Sequence, residues 1–189
     1  MITAALLLPA MLVVILLFVS ASLVYSTIRL GISPMPSSNK AYIAMMQLTD
    51  RTGPGTIVDL GSGWGNFVIR IAKKHPQRQI IGYELSWLPW LISVCFKKLL
   101  GLKNLTLHRQ NFYQADLSDC SVLICYLFPG AMNKISKKLQ LEQTNINFLI
   151  SNNFSLPGWK PCKAIKIDDF YKSSIYRYNI NSNKKPSKQ

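Results

Sequence analysis

The stretch Val58-Asp59-Leu60-Gly61-Ser62-Gly63-Trp64-Gly65-Asn66 most limits what this chain can fold into. Residues 56–60 form an apolar run short enough for a buried strand, and the run breaks into three closely spaced glycines. Helical spacing begins at Asn66, with Phe67, Val68, Ile71 and Ala72 available for one face. Glycines at such a strand-to-helix turn take backbone angles that other residues resist, and they let a bulky ligand approach the main chain. A second strand, residues 79–84, ends in Glu84, whose carboxylate can accept hydrogen bonds from both hydroxyls of a ribose. Together these features describe a nucleoside cofactor lying across the carboxyl ends of parallel strands.

The rest of the chain continues the alternation. A helix is expected over residues 86–100, with Pro89 in its first turn and Gly101 as its C-terminal cap. Residues 105–108 make a third strand. Residues 121–127 are continuously apolar, as suits a strand buried on both faces of a parallel sheet. A helix over 131–139 and a strand over 147–151 follow, and residues 164–167 and 175–180 can pair as a terminal antiparallel hairpin. The expected fold class is α/β, a doubly wound Rossmann-like sheet closed by that hairpin.

Ahead of this domain lies a second large feature. Residues 2–28 contain no charged side chain and are dense in Leu, Val and Ile. As a helix they would extend about 40 Å at ~1.5 Å per residue, enough for a ~30 Å hydrocarbon core. A cleaved signal peptide is the rival reading, because Val19-Ser20-Ala21 offers small residues for a peptidase. No Lys or Arg precedes the run, whereas Arg29, Lys40 and Arg51 follow it, so a single-pass anchor with the domain on the cytoplasmic side is expected. The organisation is then an anchor at 1–29, a proline-containing linker at 30–40, a domain at 41–180 and a basic tail at 181–189. Lys and Arg number 22 against 8 Asp and Glu, a formal charge of +14, which suits contact with an anionic surface such as a lipid bilayer. Cys95, Cys120, Cys125 and Cys162 form no C-x-x-C pair, and His75 and His108 lack metal-ligand spacing, so no metal is expected.

The glycine spacing separates two possible cofactors. A dinucleotide fold wants G-x-G-x-x-G, and Asn66 stands where the third glycine belongs. The G-x-G-x-G spacing of Gly61, Gly63 and Gly65, with Asp59 two positions earlier, resembles the first motif of class I S-adenosylmethionine methyltransferases. Glu84 is similar to their ribose-binding acid.

A narrower resemblance covers residues 33 to about 161. Ser33-Pro34-Met35-Pro36-Ser37, the glycine turn, Tyr83-Glu84-Leu85, Asn111-Phe112-Tyr113, Asp116-Leu117, Phe128-Pro129 and Leu156-Pro157-Gly158-Trp159 follow in order. This pattern resembles the small membrane-anchored lysine methyltransferases of mitochondria, which in animals modify the ATP synthase c subunit and the adenine nucleotide translocase, and which have bacterial relatives. The resemblance implies S-adenosylmethionine as cofactor, held by Asp59, Gly61, Gly63, Gly65, Glu84, Asn111 and Phe112. It also implies a membrane protein carrying an acceptor lysine as partner. Two departures stand out: Trp64-Gly65-Asn66 replaces the usual Asp-Gly-Arg run, and Asn111-Phe112-Tyr113 replaces an acidic or amide residue beside Leu-Trp.

Transfer of an activated methyl to an amine depends mainly on proximity and alignment. The acceptor lysine must arrive neutral although its ordinary pKa is about 10.4, and an apolar aromatic channel favours that form by withholding water. Phe128, Pro129, Pro157 and Trp159, with Tyr126 and Phe154, are the candidates for such a channel. Amino-methyltransferases of DNA bases carry an Asp/Asn-Pro-Pro-aromatic motif at the place where this chain reads Leu127-Phe128-Pro129-Gly130, so nucleic acid is not expected as substrate. A lipid or small-molecule amine is the rival acceptor, and a non-enzymatic membrane adaptor the third reading. The helix over 86–100, with Trp87, Trp90, Phe96 and two lysines, either packs on the sheet or lies on a membrane surface.

Overall fold

A computed structural model describes residues 9–14, 16–17, 19–21, 24, 37–142 and 145–183. The chain divides into two units, Met1–Met35 and Pro36–Gln189.

In the first unit the described residues are helical. Among the described residues no helix is long and apolar enough to cross a membrane. The expected anchor at 2–28 extends over residues that lie outside the described ones.

The second unit is a seven-stranded sheet. Its strands are β1 (Thr56–Leu60), β2 (Ile80–Tyr83), β3 (Leu105–His108), β4 (Cys120–Cys125), β5 (Phe148–Asn152), β6 (Lys163–Lys166) and β7 (Ser174–Asn179). They lie in the order β3-β2-β1-β4-β5-β7-β6. The first five are parallel, and β7 runs antiparallel to both β5 and β6, so the expected terminal hairpin forms. The helices are α1 (Asn39–Thr49), α2 (Asn66–Lys74), α3 (Trp87–Leu99), α4 (Pro129–Leu141) and the short α5 (Ile180–Asn183).

Period-two alternation divides the core. Ile57, Val122, Ile124 and Ile150 face α1 and α2, where Ala41, Met45, Leu48, Phe67, Val68 and Ile71 meet them. Val58, Leu60, Leu123, Cys125 and Leu149 face α4 and meet Ala131, Met132, Ile135 and Leu139. With both faces covered, the central strands are rich in apolar residues on both sides, with Asp59 in β1 and Ser121 in β4 among the polar exceptions. The α2 face is the expected one: Phe67, Val68, Ile71 and Ala72 are its buried residues. Gly101 ends α3 in the left-handed region at φ +61°, with the Gly101 amide donating to Lys98 O and the Leu102 amide to Lys97 O, a Schellman closure.

Several elements differ from expectation, among them β4, which ends at Cys125 rather than at residue 127, and the unexpected α5. α1 occupies residues assigned to the linker and the domain start, and its buried Ala41, Ala44, Met45 and Leu48 follow helical spacing. α4 is two residues longer at each end than expected, because Pro129 takes the first helical position, where a missing amide costs nothing.

Candidate functional site

β1 lies between β2 and β4, where the winding direction of the sheet reverses, and ligands of open α/β sheets bind beyond the strand ends at that point. In register, Asp59 pairs with Gly82 and Ile124, and Leu60 with Tyr83 and Cys125, so Asp59 and Glu84 arrive at the same end of adjacent strands. The turn after β1 is tied to β2 by the Gly61 and Ser62 amides, which donate to Tyr83 O at 2.9 and 2.8 Å. Gly61, Gly63 and Gly65 all have positive φ, at +82°, +54° and +81°.

The last two glycines serve different ends. A Cβ placed on Gly63 would meet nothing within 4 Å, so that residue borders open space at the strand ends. A Cβ on Gly65 would lie 2.7 Å from the Ser93 Cβ and 3.1 Å from Ile69 Cδ1, so this glycine lets α2 start close against α3. Gly65 is buried in the turn, whereas Gly63 is partly exposed.

Glu84 is locked by the main chain. The Gly63 amide donates to one carboxylate oxygen at 2.9 Å and the Ser86 amide to the other at 2.7 Å. A carboxylate has about four acceptor positions, so one on each oxygen remains for a pair of hydroxyls. Asp59 is only 6% exposed. Burial, and then the nearby Glu84 carboxylate, push its pKa up to about 7. Asp59 and Glu84 are thus two buried carboxylates at one end of adjacent strands. S-adenosylmethionine brings a ribose, an ammonium and a sulfonium, and this donor set fits it: hydroxyls for Glu84, cations for Asp59.

Asn111 and Phe112 stand just beyond β3. The Asn111 side-chain oxygen accepts from the Tyr113 amide at 3.1 Å and so caps a single 3-10 turn, Phe112–Gln114. The Phe112 and Tyr113 rings lie 4.3 Å apart. Phe128 is the N-cap of α4 and Pro129 its first residue. Pro157 and Trp159 converge elsewhere on that helix: Ser136 donates to Pro157 O at 2.7 Å, and the Trp159 indole N–H donates to Ser136 Oγ at 3.0 Å. Ser136 lies seven residues past Pro129, roughly 10 Å along the axis at ~1.5 Å per residue. The structure thus brings Pro157 and Trp159 together, and seats them on the body of α4 while Phe128 and Pro129 occupy its amino terminus.

Sequence reasoning missed a rim of residues around the strand ends. Tyr42 of α1 is buried; burial and then the Asp59 charge raise its pKa, and its ring stacks on Phe67 with Arg70 5.2 Å from its centroid. Asn152, at the end of β5, donates to Ser37 Oγ at 2.8 Å. Ser38 donates to an Asp169 carboxylate oxygen at 2.6 Å. Next to this rim stand two of the expected channel aromatics: Tyr126 stacks on Phe154 at 6.4 Å and hydrogen-bonds the side chain of Asn153, a residue with φ +69°. The signal for α1 was present in its helical spacing. The pairing of Ser37 and Ser38 with residues more than a hundred positions away had none.

Residues 59–163 match the ANTKMT methyltransferase domain. The chain belongs to that family. Among its relatives, the mouse adenine nucleotide translocase lysine N-methyltransferase is 32% identical over 120 residues, covering 61% of this chain and 50% of the mouse protein. A protein-lysine N-methyltransferase of Saccharolobus islandicus is 23% identical over 154 residues, covering 79% of this chain and 94% of the archaeal one. The chain therefore spans about half the length of the mouse relative and nearly all of the archaeal one. In fold, it is similar to an RNA methyltransferase from Salinibacter ruber solved with S-adenosyl-L-homocysteine. The TM-score is 0.71 and the identity 24%, over 82% of this chain and 98% of that one. S-adenosylmethionine is the cofactor of this methyltransferase domain.

Proposed function

We propose that this chain methylates the side-chain amine of a lysine on a membrane protein, using S-adenosylmethionine, and that residues 2–28 anchor it in the bilayer with the domain on the cytoplasmic side. One observation carries the site assignment: Asp59 and Glu84 form a buried carboxylate pair beside the open backbone of Gly63. When bound, the cofactor supplies a methyl already activated as a sulfonium. Glu84 holds its ribose, Asp59 its amino-acid end, and Asn111 and Phe112 the side of the crevice beyond β3.

The acceptor channel is assigned to Tyr126, Phe154, Phe128 and Pro129 at the ends of β4 and β5. Pro157 and Trp159 brace it from α4 through Ser136. An aromatic channel keeps the arriving amine neutral by excluding water. The lysine acceptor is supported by the mouse and archaeal relatives, which are lysine methyltransferases by name. The membrane location is supported by the uncharged run at 2–28 and the cations that follow it.

Labelled-methyl transfer into membrane and soluble extracts of cells lacking the gene is the test. Label in a lysine of a membrane protein is the expected result. Label confined to lipid or to soluble protein would overturn the acceptor assignment.

A further inference from the structure

The loop between β6 and β7, residues 167–173, carries the most exposed large hydrophobic side chain among the described residues. Phe170 is 93% exposed, and Tyr171 beside it is exposed as well, their rings meeting edge-on at 5.3 Å. Scattered surface hydrophobics need no explanation. This pair differs because its loop is pinned and cannot fold the rings away. Asp169 uses both carboxylate oxygens, one accepting from Ser38 Oγ at 2.6 Å and the other from the Ser173 amide at 2.8 Å. Its carbonyl accepts from the amide of Lys172, a residue held at φ +46°, and the Ile167 amide donates to Ser173 O at 2.7 Å.

The register fixes where this tip lies. Lys166 pairs with Ser174, and Ile175 with Asn152, so the loop leaves the sheet at the end where β5 reaches the site. The Asn153 amide donates to Ser174 O at 2.8 Å, and the Asp169 carboxylate acts on Tyr126. The same loop is bonded to the first described residues of the domain: Ser38 donates to Asp169, and Lys40 Nζ donates to Asp168 O at 2.5 Å. On this loop, at the strand end beside it and on the segment bonded to it, Lys172, Lys166 and Lys40 are exposed, with Asp168 the exposed acid. Exposed aromatics on a loop with exposed lysines, bonded to the start of the domain, match the interfacial region of an anionic bilayer.

We propose that the β6–β7 loop is a membrane-docking tip, with Phe170 and Tyr171 seated among lipid head groups so that the acceptor channel faces the bilayer. This rests on residues 2–28 being an anchor. The rival surface is α3, which exposes Phe96 and Leu99 beside Lys97 and Lys98. Leu99 ends a helix that runs back about 20 Å from the strand ends, at the opposite edge of the sheet. One flat surface cannot seat both.

The experiment places an environment-sensitive fluorophore on Phe170→Cys or Leu99→Cys in full-length protein carrying Cys95→Ser and Cys162→Ser, reconstituted in nanodiscs of phosphatidylcholine and phosphatidylglycerol. A blue shift at 170 with none at 99 is expected. Phe170→Ser, a change at an exposed position, should cut labelled-methyl incorporation into membranes several-fold while leaving cofactor affinity unchanged. A label at 170 that stays in water in these lipid-only discs overturns the tip, whatever added membrane protein then does. Flotation after alkaline carbonate reads the anchor separately. Protein that floats with position 170 in water refutes the loop alone, and protein that fails to float refutes both.

Discussion

Asp59 and Glu84 divide their work through their surroundings. Glu84 has two amide donors and stays fixed, whereas Asp59 is buried with a second carboxylate for company. The sign of the resulting pH dependence follows. A carboxyl whose folded pKa is raised from 3.8 to about 7 favours folding in its protonated form. That contribution is complete below the unfolded value and is lost as pH rises through about 7. Cofactor binding runs the other way, because only the ionised carboxylate attracts the ammonium and sulfonium. We therefore expect affinity for S-adenosylmethionine, measured by calorimetry, to rise between pH 6 and 7.5, and Asp59→Asn to flatten that profile. For Glu84→Ala, losing charge-assisted bonds of about 1.5–3 kcal/mol should weaken the cofactor by roughly 10- to 100-fold. Unchanged affinity in a folded variant would remove Glu84 from the ribose.

Contacts between elements decide how the crevice is held open. Gly65 starts α2 in the left-handed region with the Ser93 Cβ of α3 close by, so an added methyl meets both strain and a clash. Gly65→Ala should cost about 1–3 kcal/mol, seen as an earlier urea midpoint with an unchanged slope. On the other face, Trp159 and Pro157 clip the segment after β5 to Ser136, and that segment also carries Phe154, which stacks on Tyr126. Trp159→Ala should reduce methyl transfer about tenfold or more while S-adenosylmethionine affinity changes less than about twofold, since looser alignment slows the reaction without touching the cofactor contacts. Equal losses in both measurements would mean that the clip supports the whole crevice. These element contacts were unevenly legible. The α2 face and the α3 cap follow from local spacing and one glycine, whereas the Ser136–Trp159 bond joins residues 23 positions apart that no local pattern relates.

For the whole molecule, a tether to the bilayer would confine the domain to a thin layer and raise its effective concentration toward membrane-resident acceptors. Removing residues 1–28 should therefore leave cofactor affinity unchanged and lower methylation of isolated membranes at low enzyme concentration, with the loss recovered as enzyme is added. A loss that excess enzyme does not recover would point to a direct role for the run in the site. The strand–glycine–helix order, the acid closing β2 and the apolar run before the domain were readable in the sequence, because they rest on local propensity and on spacings of a few residues. The seven-strand order, the Asp59 environment, the bonding of Ser37 and Ser38 to Asn152 and Asp169, and the presentation of Phe170 were decided only by the tertiary structure. Burial, charge proximity and long-range hydrogen bonds depend on which distant residues meet, and this fold brings them to one end of its sheet.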